Sequence, residues 1–211
     1  MATTKVDINL ISATGTASSS TFLRGDSSWT ALSAAPWVII GTATASDSAS
    51  LTVTGISDTY EHYVFMGSDL HAASDSADAY IRFGDSGGID SGASDYFYHS
   101  RSYVEGSESP ISDASAAATF MCMCNNAASG AGGVDAGESM NFTIHLNHKS
   151  TATGYHHMHG NSSWINVSTL GGGSYFNGGR NGDIDMTQIQ FLWQTGNIVS
   201  GRVTLWGISH A

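Results

Sequence analysis

From residue 36 onward, apolar side chains recur in short runs, with no stripe three or four residues apart that would mark an amphipathic helix. Leu51-Thr-Val-Thr-Gly-Ile56 alternates apolar and hydroxyl residues, the two-residue period of a strand with one buried face. Similar runs cover Trp37–Ile40, Tyr60–Met66, Ala79–Phe83, Tyr96–Tyr103, Ala116–Cys124, Met140–Leu146, Tyr155–His159, residues 163–167, Met186–Trp193 and Val199–Ile208. Clusters of Gly, Asp, Ser and Asn separate them, at the spacing of sandwiches and barrels. The pattern predicts an all-β chain of about eleven strands. Gly196-Asn197 has the chemistry of a two-residue hairpin turn, which would pair the last two strands antiparallel. Gly84–Asp95 and Asn125–Glu138 are long, glycine-rich loops almost without apolar residues.

Before Pro36 the pattern changes. Thr14–Thr21 holds only Thr, Gly, Ala and Ser, too little apolar surface to fold alone. Phe22, Leu23 and Trp29 follow, around Arg24-Gly25-Asp26, which reads as a turn. This division predicts an extended docking strap over 1–35 and one β-domain over 36–211, a length ample for a sizeable core. The strap's anchors are Phe22, Leu23 and Trp29.

Composition narrows the partners. Only 12% of residues are charged, about half the usual share. The 18 acidic and 7 basic residues give a net charge of −11, which argues against nucleic acid and against an anionic membrane surface. Low charge and many small residues suit a chain that covers part of its surface with copies of itself. The first ten residues lack a basic start and an apolar core, so no secretory signal is expected. No window is long and apolar enough for a membrane-spanning helix. Cys122 and Cys124 sit two apart in Met-Cys-Met-Cys, where a disulfide would be strained; two buried thiols are expected.

The segment Ala13-Thr-Gly-Thr-Ala-Ser-Ser-Ser-Thr-Phe-Leu-Arg-Gly-Asp-Ser-Ser-Trp29 resembles the one that precedes a distal domain in tail-fibre and other appendage proteins of tailed bacteriophages. Ile198–Ile208 resembles the last strand of β-rich domains in the same virion proteins. The resemblance implies an antiparallel, jelly-roll-like β-sandwich with an N-terminal arm. It implies a virion structural protein, assembled in the host cytoplasm, that forms a fibre or fibre tip and contributes to host attachment. The expected partners are two further copies in a homotrimer and other virion proteins held through the strap. A capsid decoration or head fibre, and a glycan-binding module without catalysis, are the alternatives.

The middle of the chain carries the candidate chemistry. Nine histidines occur, five of them from His145 to His159. His157 and His159 share a strand face, and His145 on a neighbouring strand would complete a trio for a transition metal. No acidic or cysteine ligand accompanies them, and a structural role as hydrogen-bonding strand residues competes; His156, His157 and His159 all read as peripheral to the core. Gly84-Asp-Ser-Gly87 invites a serine-hydrolase reading at Ser86, but no disulfide-braced paired barrel surrounds it. Asp85, Asp90 and Asp95 offer hard oxygens for calcium, against the plainer reading of a solvated acidic loop. Tyr96, Tyr98 and Tyr103 are candidates to stack on sugar rings of a host surface glycan, against a core role. Neither a catalytic set nor a cofactor is expected.

Overall fold

The structure, a computed structural model, describes residues 13–31, 36–107, 109–124, 132–147, 155–166 and 168–209. The signal-peptide reading of the first ten residues, His148 and the first half of the Asn125–Glu138 loop fall outside them. The chain divides into two compact units, Met1–Ala35 and Pro36–Ala211.

In the first unit, β1 (Thr21–Leu23) and β2 (Trp29–Ala31) pair antiparallel, with Phe22 opposite Thr30. Arg24-Gly25-Asp26 lies in the turn between them. Asp26 Oδ1 accepts from Ser28 N at 3.1 Å and Ser28 Oγ at 2.6 Å. Those bonds hold its carboxyl below the usual range. Ser27 takes φ 62° and its N–H donates to Arg24 O at 3.0 Å, closing the loop. The strap is therefore a small hairpin in this stretch and not a fully extended segment. Phe22 and Leu23 stand exposed on it, and Trp29 is half-buried.

The second unit is all-β. Its strands are β3 (Trp37–Thr44), β4 (Leu51–Thr54), β5 (His62–Ala72), β6 (Ala79–Asp85), β7 (Gly88–Ile89), β8 (Tyr96–Val104) and β9 (Ile111–Ala118). They continue with β10 (Met121–Cys124), β11 (Met140–Asn147), β12 (His157–Ile165), β13 (Gly171–Arg180), β14 (Gln188–Trp193) and β15 (Ile198–Ile208). One sheet has eight strands in the order β3-β15-β5-β11-β12-β13-β8-β9. The other has five, in the order β10-β6-β14-β4 with β7 beside β6. All pairings between these strands are antiparallel. The two-sheet antiparallel expectation holds, with strands divided more unevenly than in an eight-stranded jelly roll.

The two-residue period places alternate side chains between the sheets. Phe65, Phe142, Ile144, Leu205 and Val203 from the large sheet meet Ile81, Phe83, Ile189 and Phe191 from the small one. Phe142 stacks on Phe191 across the gap at 5.4 Å. Met121, Met123 and both free cysteines are buried, as the Met-Cys-Met-Cys reading requires. Burial pushes both thiols well above their ordinary range.

Three strand assignments change. Gly196-Asn197 does not join a hairpin, because β14 pairs with β4 and β6 whereas β15 pairs with β3 and β5. The turn instead carries the chain from one sheet to the other. Asn197 Nδ2 donates to Asp47 O at 3.2 Å and Oδ1 at 3.0 Å, and Asn197 O accepts from Ala73 N at 2.9 Å. The run Ala116–Cys124 is likewise divided between two strands in different sheets, and the two short runs expected around His157–His159 and Ser163–Ile165 are joined in one long β12.

Candidate functional site

Side chains that alternate with the core line the outer face of the eight-stranded sheet, and register alone arranges them in rows across it. One row runs from Trp206 through Val64, His145, His159 and Asn177 to His99. The next runs from Thr204 through Met66, Thr143, Asn161 and Tyr175 to Arg101. A third joins Arg202 to Ser68, and Asn141 to Ser163.

The histidines meet as stacked neighbours. His145 lies parallel to His159, ring centroids 5.3 Å apart and 11° between planes. His62 Nε2 is 3.0 Å from His145 Nδ1, so one neutral imidazole donates to the other. Partial burial, followed by the positive fields of His62 and His159 when charged, lowers the His145 pKa. His157 is on the same face but turns to Asn147, whose Nδ2 donates to His157 Nε2 at 3.1 Å. The shared face of His157 and His159 and the nearness of His145 follow the strand period. The metal geometry does not, because parallel rings do not aim their lone pairs at one point. Among the described residues no group of three potential ligands is placed to hold a metal ion. His62, opposite Asn147 in the neighbouring row, joins this cluster, and the otherwise aromatic run around it hides it in the sequence.

His156 is not peripheral. It is buried, and its Nε2 bonds Ile184 O at 2.7 Å. The tyrosines separate by parity. Tyr96 and Tyr98 point inward and are buried, Tyr96 donating to Phe83 O at 2.9 Å and Tyr98 to Asp113 Oδ2 at 2.8 Å. Neither ring is available to a sugar. Tyr103, five residues beyond Tyr98, has the opposite parity and is exposed, with Arg101 over its ring at 6.0 Å. The odd spacing is the signal that would have divided the three.

The acidic loop is solvated at Ser86, Gly87 and 91–94 but not around its carboxylates Asp90 and Asp95. Arg180, at the end of β13, pairs with Asp90 at 3.0 Å and Asp95 at 3.3 Å, and lies 5.9 Å from the centre of the Tyr96 ring. These carboxylates are largely buried and neutralised from within, so the calcium reading of Asp90 and Asp95 loses its free ligands. Asp85 caps a turn by accepting from Gly87 N at 2.7 Å. Ser86 stands at the exposed tip of that turn between β6 and β7.

Two hollows mark the outer face. His157 and His159 border the shallower one, about 640 Å³, with Phe97, Tyr155 and Asn177. The other, about 350 Å³, lies over β15, β5, β11 and β12, bordered by Met66, Asn141, Thr143, Asn161, Arg202 and Trp206. Asn141 Oδ1 accepts from Asp69 N at 3.0 Å, a bond that helps hold Asp69 at φ 53° and fixes the amide's orientation. Trp206 packs edge-on against Trp37 at 6.2 Å. No family model, curated protein or solved structure matches the chain.

Proposed function

We propose that the chain is a structural protein of a tailed-bacteriophage virion, a homotrimeric fibre or fibre-tip component that contributes to host attachment. The observation that carries this reading is the leader Ala13–Trp29 standing immediately ahead of an all-β domain. Phe22 and Leu23 lie exposed on the strap hairpin, where they can dock on a neighbouring virion protein. The paucity of charge and edge strand β3, with Trp37 and Ile39 exposed, support association of three copies, since such an edge invites pairing unless covered. The domain's function in this reading is binding without catalysis. Ser86 sits in a tight turn, and the nearest acidic cluster is bound up with Arg180.

Gold-labelled antibody against this chain, applied to purified virions, tests the placement. Label at the fibre ends is expected. Label spread over the capsid would select the head-fibre or decoration alternative, and unlabelled particles would end the virion reading. Light scattering of the purified chain is expected to give a trimer; a stable monomer at micromolar concentration would refute that element.

A further inference from the structure

We infer that the groove over β15, β5, β11 and β12 binds an acidic saccharide, Arg202 pairing with a carboxylate and Trp206 lying against a sugar ring. The inference rests on the attachment reading for its biological sense and deepens it by naming the ligand class.

Charge makes the first argument. The chain carries 18 acidic residues, yet no carboxylate side chain borders this groove. Arg202 is exposed at its edge with no side-chain hydrogen bond or ion pair among the described residues. Asp69, next in the chain to the groove's Ser68, turns its carboxylate to His71 at 3.2 Å and donates its backbone N–H to the groove's Asn141. A guanidinium left unpaired in so acidic a chain is a ready counter-charge for an anion.

The polar groups make the second. Trp206 Nε1 is shielded from water and has no acceptor among the described residues. That N–H is not open to a ligand as it stands, so what Trp206 offers the groove is its ring. The backbone bond that Asn141 Oδ1 accepts directs the rest of that amide toward donation. Asn161 on β12 and Thr143 on β11 add an amide and a hydroxyl, and Thr204 on β15 adds a second hydroxyl, which also bonds Thr42 Oγ1 at 3.2 Å. An aromatic platform beside a few fixed amides and hydroxyls is suited to a ring whose faces are apolar and whose edges are hydroxylated.

Size and position exclude other ligands. A hollow of about 350 Å³ is at the lower end of small-ligand sites. The four strands under it are all interior to the sheet, so no peptide can add to them as another strand. A nucleic acid would need several cations, and here there is one. Strand-borne side chains also need little ordering on binding, unlike side chains on a loop.

The test is binding of the full chain to an array of uronate- and sialate-bearing oligosaccharides, each beside its neutral counterpart, followed by calorimetry on the best binder. Retention of acidic glycans is expected, with the neutral counterparts at least tenfold weaker. Arg202→Gln is exposed and should fold normally while losing at least tenfold in affinity; Trp206→Ala should abolish binding, its folding checked by circular dichroism. Tyr103→Ala should bind as the parent does. Equal binding of acidic and neutral glycans, binding that survives Arg202→Gln, or no retention of any acidic glycan would each overturn the inference, as would protection of Trp206 by a second copy in the free protein. Acidic-glycan binding by a chain missing from virions would sink the attachment reading and leave the groove standing. Virion-borne chain that adsorbs to hosts without binding acidic glycans would do the reverse.

Discussion

The two outer faces of the sandwich obey the same strand period and end in opposite conditions. On the five-stranded sheet the outward side chains are used by the chain itself. Tyr80 lies under Phe120, ring centroids 3.6 Å apart and nearly parallel. Arg82 Nε donates to Thr119 O at 3.0 Å, Gln188 Nε2 to Asp85 O at 2.6 Å, and Gln190 Nε2 to the hydroxyls of Ser50 and Thr52. On the eight-stranded sheet Arg202, the Trp206 indole N–H and much of Asn161 have no such partner among the described residues. Equal polarity thus means different things: one face is internally satisfied, whereas the other pairs His145 with His62, His157 with Asn147 and Asn141 with Asp69 yet leaves Arg202 without a partner among the described residues.

The most drastic way to break the comparison is to remove what the faces share. Phe191 is fully buried and contacts Phe142 at 5.4 Å and Trp193 at 5.2 Å. Phe191→Ala should cost about 3–5 kcal/mol. Urea unfolding followed by tryptophan fluorescence and by far-ultraviolet dichroism should shift together; separate transitions would mean that each sheet is stable without the other.

A milder change addresses the covered face alone. Phe120→Ala should cost about 1–2 kcal/mol by uncovering Tyr80. Burial holds the Tyr80 phenol well above its ordinary range, so the variant should titrate a tyrosine at lower pH in an ultraviolet difference titration. Saccharide binding on the opposite side should not change. An unaltered phenol titration would show that Phe120 does not shield Tyr80.

The smallest effect belongs to the open face. Because the folded protein binds a proton on His145 less readily than the unfolded chain does, the neutral imidazole's stabilisation is complete above the ordinary histidine pKa of about 6.5. It falls away as the pH drops from there through the lowered value. Melting temperature should decline modestly between about pH 7.5 and about pH 5, and less so in His145→Asn. Identical slopes in the two proteins would remove His145 from the account.

Much of this was legible in the chain because β-sheets write their period plainly. Leu51–Thr54, Met140–Asn147 and the Met-Cys-Met-Cys strand are read directly from alternation or from continuous apolarity. The strand Gly171–Arg180 was not, because its glycines resemble a linker. They are there for space: a side chain at Gly172 would run into the Trp164 indole at 2.5 Å, and one at Gly178 into Phe97 O at 2.6 Å. Arg180 could not be matched to Asp90 and Asp95 from the sequence, since 85 residues or more separate each pair and only sheet order unites them. The groove was hidden for the same reason. Trp206, Met66, Asn141 and Asn161 come from four strands that sit side by side only after β15 enters the sheet between β3 and β5.

That insertion also bears on how the protein is made. β3 leaves the ribosome long before β15, yet β15 is its hydrogen-bonding partner in the large sheet, with Thr42 opposite Thr204. Until more than a hundred and sixty further residues have been translated, β3 and one side of β5 have nothing to pair with. A message broken before β15 yields a product with two raw sheet margins and half a groove, which nascent-chain quality control would meet as a sticky fragment. Only a chain translated through β15 brings all four strands of the groove together.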